Sequence, residues 1–323
     1  MQNKTLYALL ALALLLAPLL GAYPVFMLKV LCFGLFACSF NLLIGYTGLL
    51  SFGHAAFFGC AAYLAGHALK HWGLDPLLAL LLGTACGAVI GAAMGYVAIR
   101  RQGIYFTMIT LALAQMLFFL CLQSPLTGGE DGLQAIPRGQ LLGLLDLGDD
   151  LTMYYYGLVL LALAFLLIIR VVHSPFGQIL KAIKENEARA TSLGYDVAHY
   201  KLLAFVISAA LAGLAGALKA QLFGFATLTD VHWSMSGTVV LMTLVGGLAT
   251  FSGPLLGAFV VVTIENKLGE IGNKLAELTG IDWFATLGDS VTLVTGAIFI
   301  LCVLTFRRGI MGELASRRAK NQL

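Results

Sequence analysis

Ser51 and His54 stand three residues apart in the stretch Gly45-Tyr46-Thr47-Gly48-Leu49-Leu50-Ser51-Phe52-Gly53-His54. A serine beside a histidine is the raw material of nucleophilic catalysis, in which the imidazole takes the hydroxyl proton. The strained elbow G-x-S-x-G is not met, because position 49 is Leu. Six cysteines, Cys32, Cys38, Cys60, Cys86, Cys121 and Cys302, are scattered through apolar runs without a CxxC pair. They read as small core hydrophobes rather than disulfides or metal ligands, and no metal is expected. The phosphate-cradling pattern G-x-x-x-x-G-K-[ST] does not occur, so the chain is not expected to bind ATP itself. An intramembrane enzyme therefore rests on a serine and a histidine alone, and the expectation is that the chain is not an enzyme.

The surroundings of these residues are more telling than the residues. From position 30 to position 69 there is no Asp, Glu, Lys or Arg, and the glycine-rich stretch interrupts that run midway. A bilayer-crossing helix needs about 20 apolar residues, so the run has room for two. The freed backbone of the break cannot face lipid; it must lie inside protein or line a wet cavity. Composition agrees: the 323 residues are 60% hydrophobic and 11% charged, against about 25% charged in a soluble domain. The net charge of +3 gives no reason to expect a nucleic-acid partner.

Further charge-free runs are 5–28, 76–99, 102–129, 151–169, 202–218, 231–264 and 290–306, the run 231–264 being broken at Gly246, Gly247, Gly253 and Pro254. Splitting the two long runs yields about ten crossings, an all-α polytopic bundle in one transmembrane domain over 1–323. The ninth crossing, from Pro254 to Lys267, is short and open to a re-entrant reading. Lys4 and the apolar stretch behind it resemble a leader, but Leu20-Gly21-Ala22 is a poor cleavage site, which favours an uncleaved first span. Ten crossings place both termini on one side, which then carries thirteen of the nineteen basic residues, including the tail 307–323. By the positive-inside rule that side is the cytoplasm.

Gly83, Gly87, Gly91 and Gly95 recur every fourth residue, which keeps them near one helix face as a packing stripe. Gly213 and Gly216 suggest the same style of packing. The segment of about 174–200 is the main soluble stretch. Ser174-Pro175 is a helix start and Gly194 a helix end, with Ile179, Ile183, Ala190 and Leu193 at helical spacing between them. Asp196 is placed to cap the next helix. This predicts a short amphipathic helix in the cytoplasm, lying on headgroups or docking a protein.

Residues 41–66, NLLIGYTGLLSFGHAAFFGCAAYLAG, resemble the signature region of branched-chain amino acid ABC permeases, and so do Arg101-Gln102-Gly103-Ile104-Tyr105-Phe106, Gly128-Gly129-Glu130-Asp131-Gly132, 174–194 and 246–257. The matches run in order over about 40–310, and the chain is similar to the LivM type in particular. The resemblance implies a multi-pass subunit of a bacterial inner-membrane importer for branched-chain or related hydrophobic amino acids. It implies a second homologous permease, two cytoplasmic ATPases that bind the ATP, and a periplasmic substrate-binding protein.

Under that resemblance the segment 174–194 seats on an ATPase, through Phe176, Gly177, Lys184, Glu185, Glu187, Arg189, Leu193 and Gly194. The breaks, with Gly45, Tyr46, Gly48, Ser51, Phe52, Gly53, His54, Gly246, Gly247 and Gly253, flank the translocation path. One departure stands out: importers of this kind often carry Glu-Ala-Ala with Gly six residues after the Glu, whereas Gly194 follows Glu187 by seven. Leu126-Thr127-Gly128-Gly129-Glu130 echoes an ATPase signature but has no phosphate loop to partner it, so it reads as an external loop. A urea or amide permease shares the architecture. An ion-coupled carrier with broken helices is a further alternative, with His54 and His67 as its candidate groups inside the runs.

Overall fold

The computed structural model describes residues 14–18, 21, 23–141, 143, 145–279, 291–305 and 309–313. Half of the first apolar run, including its relation to a leader, and most of the tail 307–323 lie outside the described residues.

Helices dominate. In chain order they are α1 (Pro24–Thr47), α2 (His54–Lys70), α3 (Pro76–Ala98), α4 (Ile104–Gln123), α5 (Asp150–His173), α6 (Pro175–Glu185), α7 (Glu187–Ser192), α8 (Val197–Phe223), α9 (Leu228–Val231), α10 (Trp233–Gly246), α11 (Gly253–Thr279) and α12 (Val291–Thr305). Their starts follow local chemistry. Asp75, Asp149, Ser174 and Asp196 each accept a backbone N–H from the first turn of α3, α5, α6 and α8, which satisfies donors the helix cannot pair internally. Pro24, Pro76 and Pro175 occupy first helical positions, where a missing N–H costs nothing.

Among the described residues, α1, α3, α4, α5 and α8 are long and apolar enough to cross a membrane. The long helices α1 to α5 and α8 alternate in direction, as the ties between their ends show. The turns 48–53, 100–103 and 247–252 and the segment 174–196 gather at one end of the bundle, while 71–75, 124–149 and 224–232 gather at the other. Ties at this second end include Lys70 Nζ to Gln134 O (2.7 Å), Gln221 Nε2 to Pro76 O (2.7 Å) and the bridge Leu133–Ala226. Here also lies a two-stranded antiparallel hairpin, Gln140–Leu141 with Leu145–Asp146, which the all-α expectation lacked. Its pattern is two residues long on each side, too short to leave a periodic signal.

The helix α8 is the hub, packed against α1, α2 and α3. Its seat against α3 depends on missing side chains. A Cβ on Gly83 would come 2.6 Å from the Ala217 Cβ, and one on Gly87 would come 2.6 Å from the Ala209 carbonyl oxygen and 3.0 Å from the Gly213 Cα. Gly91 and Gly95 meet Ala209, Leu202 and Phe205 in the same groove. The glycine stripe is thus a close helix–helix seam, as read from its four-residue step. The α1 helix is apolar all round because it is buried on nearly every side by α5, α8 and α11.

One expectation is revised. The helix beginning at Gly253 does not stop at Lys267 but runs on to Thr279. Charge-free length marks where lipid is tolerated, not where helical hydrogen bonding ends.

Filling the seam should separate α3 from α8. Gly87→Leu is expected to destabilise the bundle by about 2 kcal/mol through overpacking, read as a lowered melting midpoint in detergent. Gly237, which has open space around its Cα, serves as the control: Gly237→Ala should melt with the parent, and equal midpoints for Gly87→Leu would contradict the seam.

Candidate functional site

Both glycine breaks lie at the same end as the amphipathic segment, and side chains bind the three together. Asn41, near the end of α1, is the clamp between the breaks. Its Nδ2 donates to Thr250 O (2.9 Å) and its Oδ1 accepts from Ala249 N (3.0 Å). Tyr46 Oη adds a bond to Ala249 O (3.3 Å). The breaks touch because position 45 is glycine: a Cβ there would stand 2.5 Å from Asn41 Oδ1 and 3.0 Å from Ala249 N. Ala249 itself is held at φ 57°, a left-handed conformation that an alanine adopts only when its surroundings impose it. Nothing in the sequence reading pointed to Asn41; its signal is an amide within an apolar helix, which in lipid surroundings asks for a partner.

The rest of the first break is satisfied in the same way. Thr107 Oγ1 donates to Leu50 O (2.9 Å), and Ser236 Oγ donates to Phe52 O (2.8 Å) while accepting from Ala55 N (2.9 Å). Gly48 takes φ 76° to end α1. In the second break, Thr250 Oγ1 donates to Gly247 O (2.7 Å) and accepts from Gly253 N (3.2 Å), and any side chain on Gly246 would overlap Gly253. Much of the broken backbone is thus paired within the protein, while Gly48, Leu248 and Ala249 stay exposed at its edge.

Ser51 and His54 are not a catalytic pair. Ser51 Oγ accepts from Gly53 N (3.1 Å), a local turn bond. His54, fully buried, has Nε2 2.8 Å from Ser208 Oγ. Ser208 sends its single proton to Ser39 O (2.6 Å), so His54 must be the donor to it. A serine that receives a bond from the imidazole and spends its proton on a carbonyl has no base, and the group is a packing network across α1, α2 and α8.

The segment 174–196 is an elbow rather than the single helix expected from its periodicity. Asn186 adopts extended backbone (φ −158°, ψ 100°), ends α6, and accepts from Arg189 N to start α7. Ile183, Ala190 and Val197 face inward with Ile179 and Tyr200 beside them, but Leu193 is 71% exposed, outside that cluster. The kink at Asn186 rotates α7 and breaks the register that seemed to align Leu193.

Three ties fix the elbow. Lys184 Nζ donates to Gly45 O (2.6 Å); this carbonyl belongs to the last turn of α1, where the helix leaves acceptors unpaired and a cation is favoured. Glu187 bridges two elements, with Oε2 2.6 Å from Lys201 Nζ on α8 and Oε1 accepting from Gln102 Nε2 (2.8 Å) at the α3–α4 turn. Above Lys184, Lys181 lies over the Tyr46 ring (5.9 Å), and Phe251 of the second break packs between Tyr46 and His173. Gly177 fits because a Cβ would overlap the Val171 and Val172 carbonyls, and Phe176 stacks on Tyr200. Glu185, Arg189 and Leu193 face outward, as does Gly194 at φ 89°.

Of the residues read from sequence, then, Gly45, Tyr46, Lys184 and the second break meet in one constellation. Glu187 is engaged inside the chain, and Glu185, Arg189, Leu193 and Gly194 form its outer surface.

A bundle of membrane-length helices with its broken turns clamped under an amphipathic elbow defines a multi-pass membrane protein. The chain belongs to the family of branched-chain amino acid transport system permease components, whose model matches residues 24–304. It is similar to the high-affinity branched-chain amino acid transport system permease protein LivM of Salmonella typhimurium, 29% identical over 245 residues that cover 69% of this chain and 58% of that protein. The autoinducer 2 import system permease protein LsrC of an Enterobacter species is 28% identical over 297 residues, covering 83% and 80%. The ribose import permease protein RbsC of Bacillus subtilis is 25% identical over 247 residues, covering 73% and 70%. The chain spans 58% of the length of the LivM protein it matches.

The clamp predicts a local phenotype. Asn41→Leu keeps the branched heavy-atom shape but strands the Ala249 N–H and the Thr250 carbonyl, at a cost of about 1–3 kcal/mol. Amide hydrogen exchange in 247–252 should accelerate while the α3–α8 seam stays protected; unchanged exchange at 247–252 would show that the clamp is idle.

Proposed function

We propose that this chain is a membrane-spanning subunit of an ATP-driven importer for branched-chain or related hydrophobic amino acids in a bacterial inner membrane. It forms the path with a second homologous permease, while two cytoplasmic ATPases bind and hydrolyse the ATP and a periplasmic protein delivers the substrate. The ten-span arrangement with both termini cytoplasmic belongs to this reading, as does a single permease domain over the whole chain. Family membership supports it, and so does the alternation of helix direction that puts the elbow and both breaks at one end.

The observation that carries the mechanism is the bond from Lys184 to the last turn of α1. An ATPase pressing on Glu185, Arg189, Leu193 and Gly194 moves a rigid elbow, not a loose loop. Lys184 passes that movement to the Gly45–Gly53 break, and Asn41 passes it to the Gly246–Gly253 break. Glu187 holds the elbow against α8 and the α3–α4 turn, so it acts as the pivot. ATP binding rocks the bundle between outward and inward openings, and the chain needs no cofactor of its own.

The relatives named for autoinducer 2 and ribose import make cargo the one open part of the reading, and the delivery protein decides it. Affinity capture of the tagged chain from gently solubilised native membranes should bring two ATPases, a second permease and the delivery protein; a chain recovered alone that still transports after reconstitution would make it a carrier. In the reconstituted complex, Lys184→Met should leave basal ATP hydrolysis in place and lower uptake about tenfold, equivalent to about 1.4 kcal/mol of lost coupling. Parent-level uptake by Lys184→Met would remove this bond from the mechanism.

A further inference from the structure

Two thiols that stand 61 residues apart in the chain meet at the end of the bundle away from the elbow. Cys60 lies on α2 and Cys121 in the last turn of α4; both are free, and their sulfurs are 3.9 Å apart. Both line a cavity of about 470 Å³ between the two helices, a volume within the usual range for small molecules, about 300–1,000 Å³. Trp72 beyond α2 and Leu126 beyond α4 also line it, and both are exposed, so the cavity opens at the surface past the helix ends. No lining side chain is an acid, a lysine or an arginine, which suits it to an uncharged visitor. The spacing of these cysteines gives no CxxC signal, so only the packing of α2 against α4 makes them a pair.

The helix α4 is pinned at one end and slack at the other. Near the elbow Phe106 is buried against the Phe205 ring (5.9 Å), and Thr107 holds the Leu50 carbonyl. Beside the thiols, the cavity takes the place of packing. Among the described membrane-length helices α4 is also the one least covered by the rest of the chain. The sulfurs need to close only from 3.9 Å to about 2.05 Å to bond, and a helix end beside a void can yield where a close-packed seam cannot. We propose that Cys60 and Cys121 are a redox-active pair whose disulfide ties α2 to the far end of α4 and arrests the rocking of the bundle. The arrest rests on the transport reading above; formation of the bond does not. On that reading this end faces away from the cytoplasm, where disulfides persist.

The oxidant is a small uncharged disulfide, and the step is thiol–disulfide exchange. Cys60 gives its proton to water at the mouth of the cavity, and its sulfur attacks the small disulfide, releasing one thiol and leaving a mixed disulfide. Cys121 loses its proton in turn and attacks the Cys60 sulfur, which forms the cross-link and releases the second thiol. Two protein thiols are oxidised, and one small disulfide is reduced to two thiols. The test treats the complete transporter in proteoliposomes with 4,4′-dithiodipyridine, blocks the remaining thiols with N-ethylmaleimide, and identifies the linked peptides by mass spectrometry. The Cys60 and Cys121 peptides should be joined, with no pyridylthio group retained on either. Leucine uptake by the same vesicles should fall in step with the linked fraction and return with dithiothreitol, while Cys60→Ser and Cys121→Ser should transport like the parent and keep their uptake after oxidation. The pair is overturned if the two thiols stay unreacted, if each retains its own pyridylthio group, or if either links to Cys86 on α3 instead. The arrest is overturned if linked transporter keeps full uptake, or if both serine variants lose uptake as the parent does. Absence of uptake before oxidation overturns the transport reading and with it the arrest, while the linked peptides still support the pair.

Discussion

Backbone that leaves a helix inside a bilayer has no water to pair with, and every freed N–H and C=O must find a partner in the protein. This constraint organises the end of the molecule where the two glycine breaks lie. The first break is paired by Thr107 from α4, Ser236 from α10 and Lys184 from α6; the second is paired by Asn41 from α1 and by its own Thr250. Apart from the local bonds of Thr250, each solution ties one element to another that is distant in sequence. Satisfying the breaks and joining the helices are therefore largely one act.

The same economy governs the helix seams. Where lipid is as apolar as leucine, helices gain little from hiding hydrocarbon and more from close contact. The glycines and alanines of α3 and α8 allow the two backbones to approach until Gly87 and Gly213 nearly touch. A hub that cannot yield locally transmits displacement, because packed cores have discrete arrangements rather than continuous ones. The elbow of α6 and α7 sits on the end of that hub through Lys201 and Glu187. A force applied at the elbow reaches α8 and both breaks by direct contact, without any long-range pathway being invoked.

Charges at the far end are treated differently. Lys219 and Asp230 form a buried pair at 2.7 Å, with Thr227 donating to the same carboxylate and the Phe225 ring 4.4 Å from the ammonium. Arg138 joins Asp150 and the Leu222 carbonyl. These fully paired groups brace the turns that follow α8 and precede α5.

Membrane class, the two breaks, the glycine seam and the start and finish of the amphipathic segment were all legible in the chain. Each depends on local rules: an apolar length that spans lipid, glycine at fixed steps, Ser-Pro at a helix start and Asp196 as a cap. Other features came only from tertiary structure. No periodicity marks Asn41 as the clamp, because its partners lie more than two hundred residues away. The kink at Asn186, which turns Leu193 outward, follows from where Ile183 and Ala190 find apolar cover. The resemblance placed Glu187 among contacts to an ATPase; only the packed structure shows Lys201, on the next helix, brought against it. Ser51 and His54, suggestive as neighbours in sequence, were separated because a helix start aims the imidazole at Ser208 instead. Sequence sets which groups need partners; only the packed bundle decides which partner each one meets, since that choice is made by distance in space.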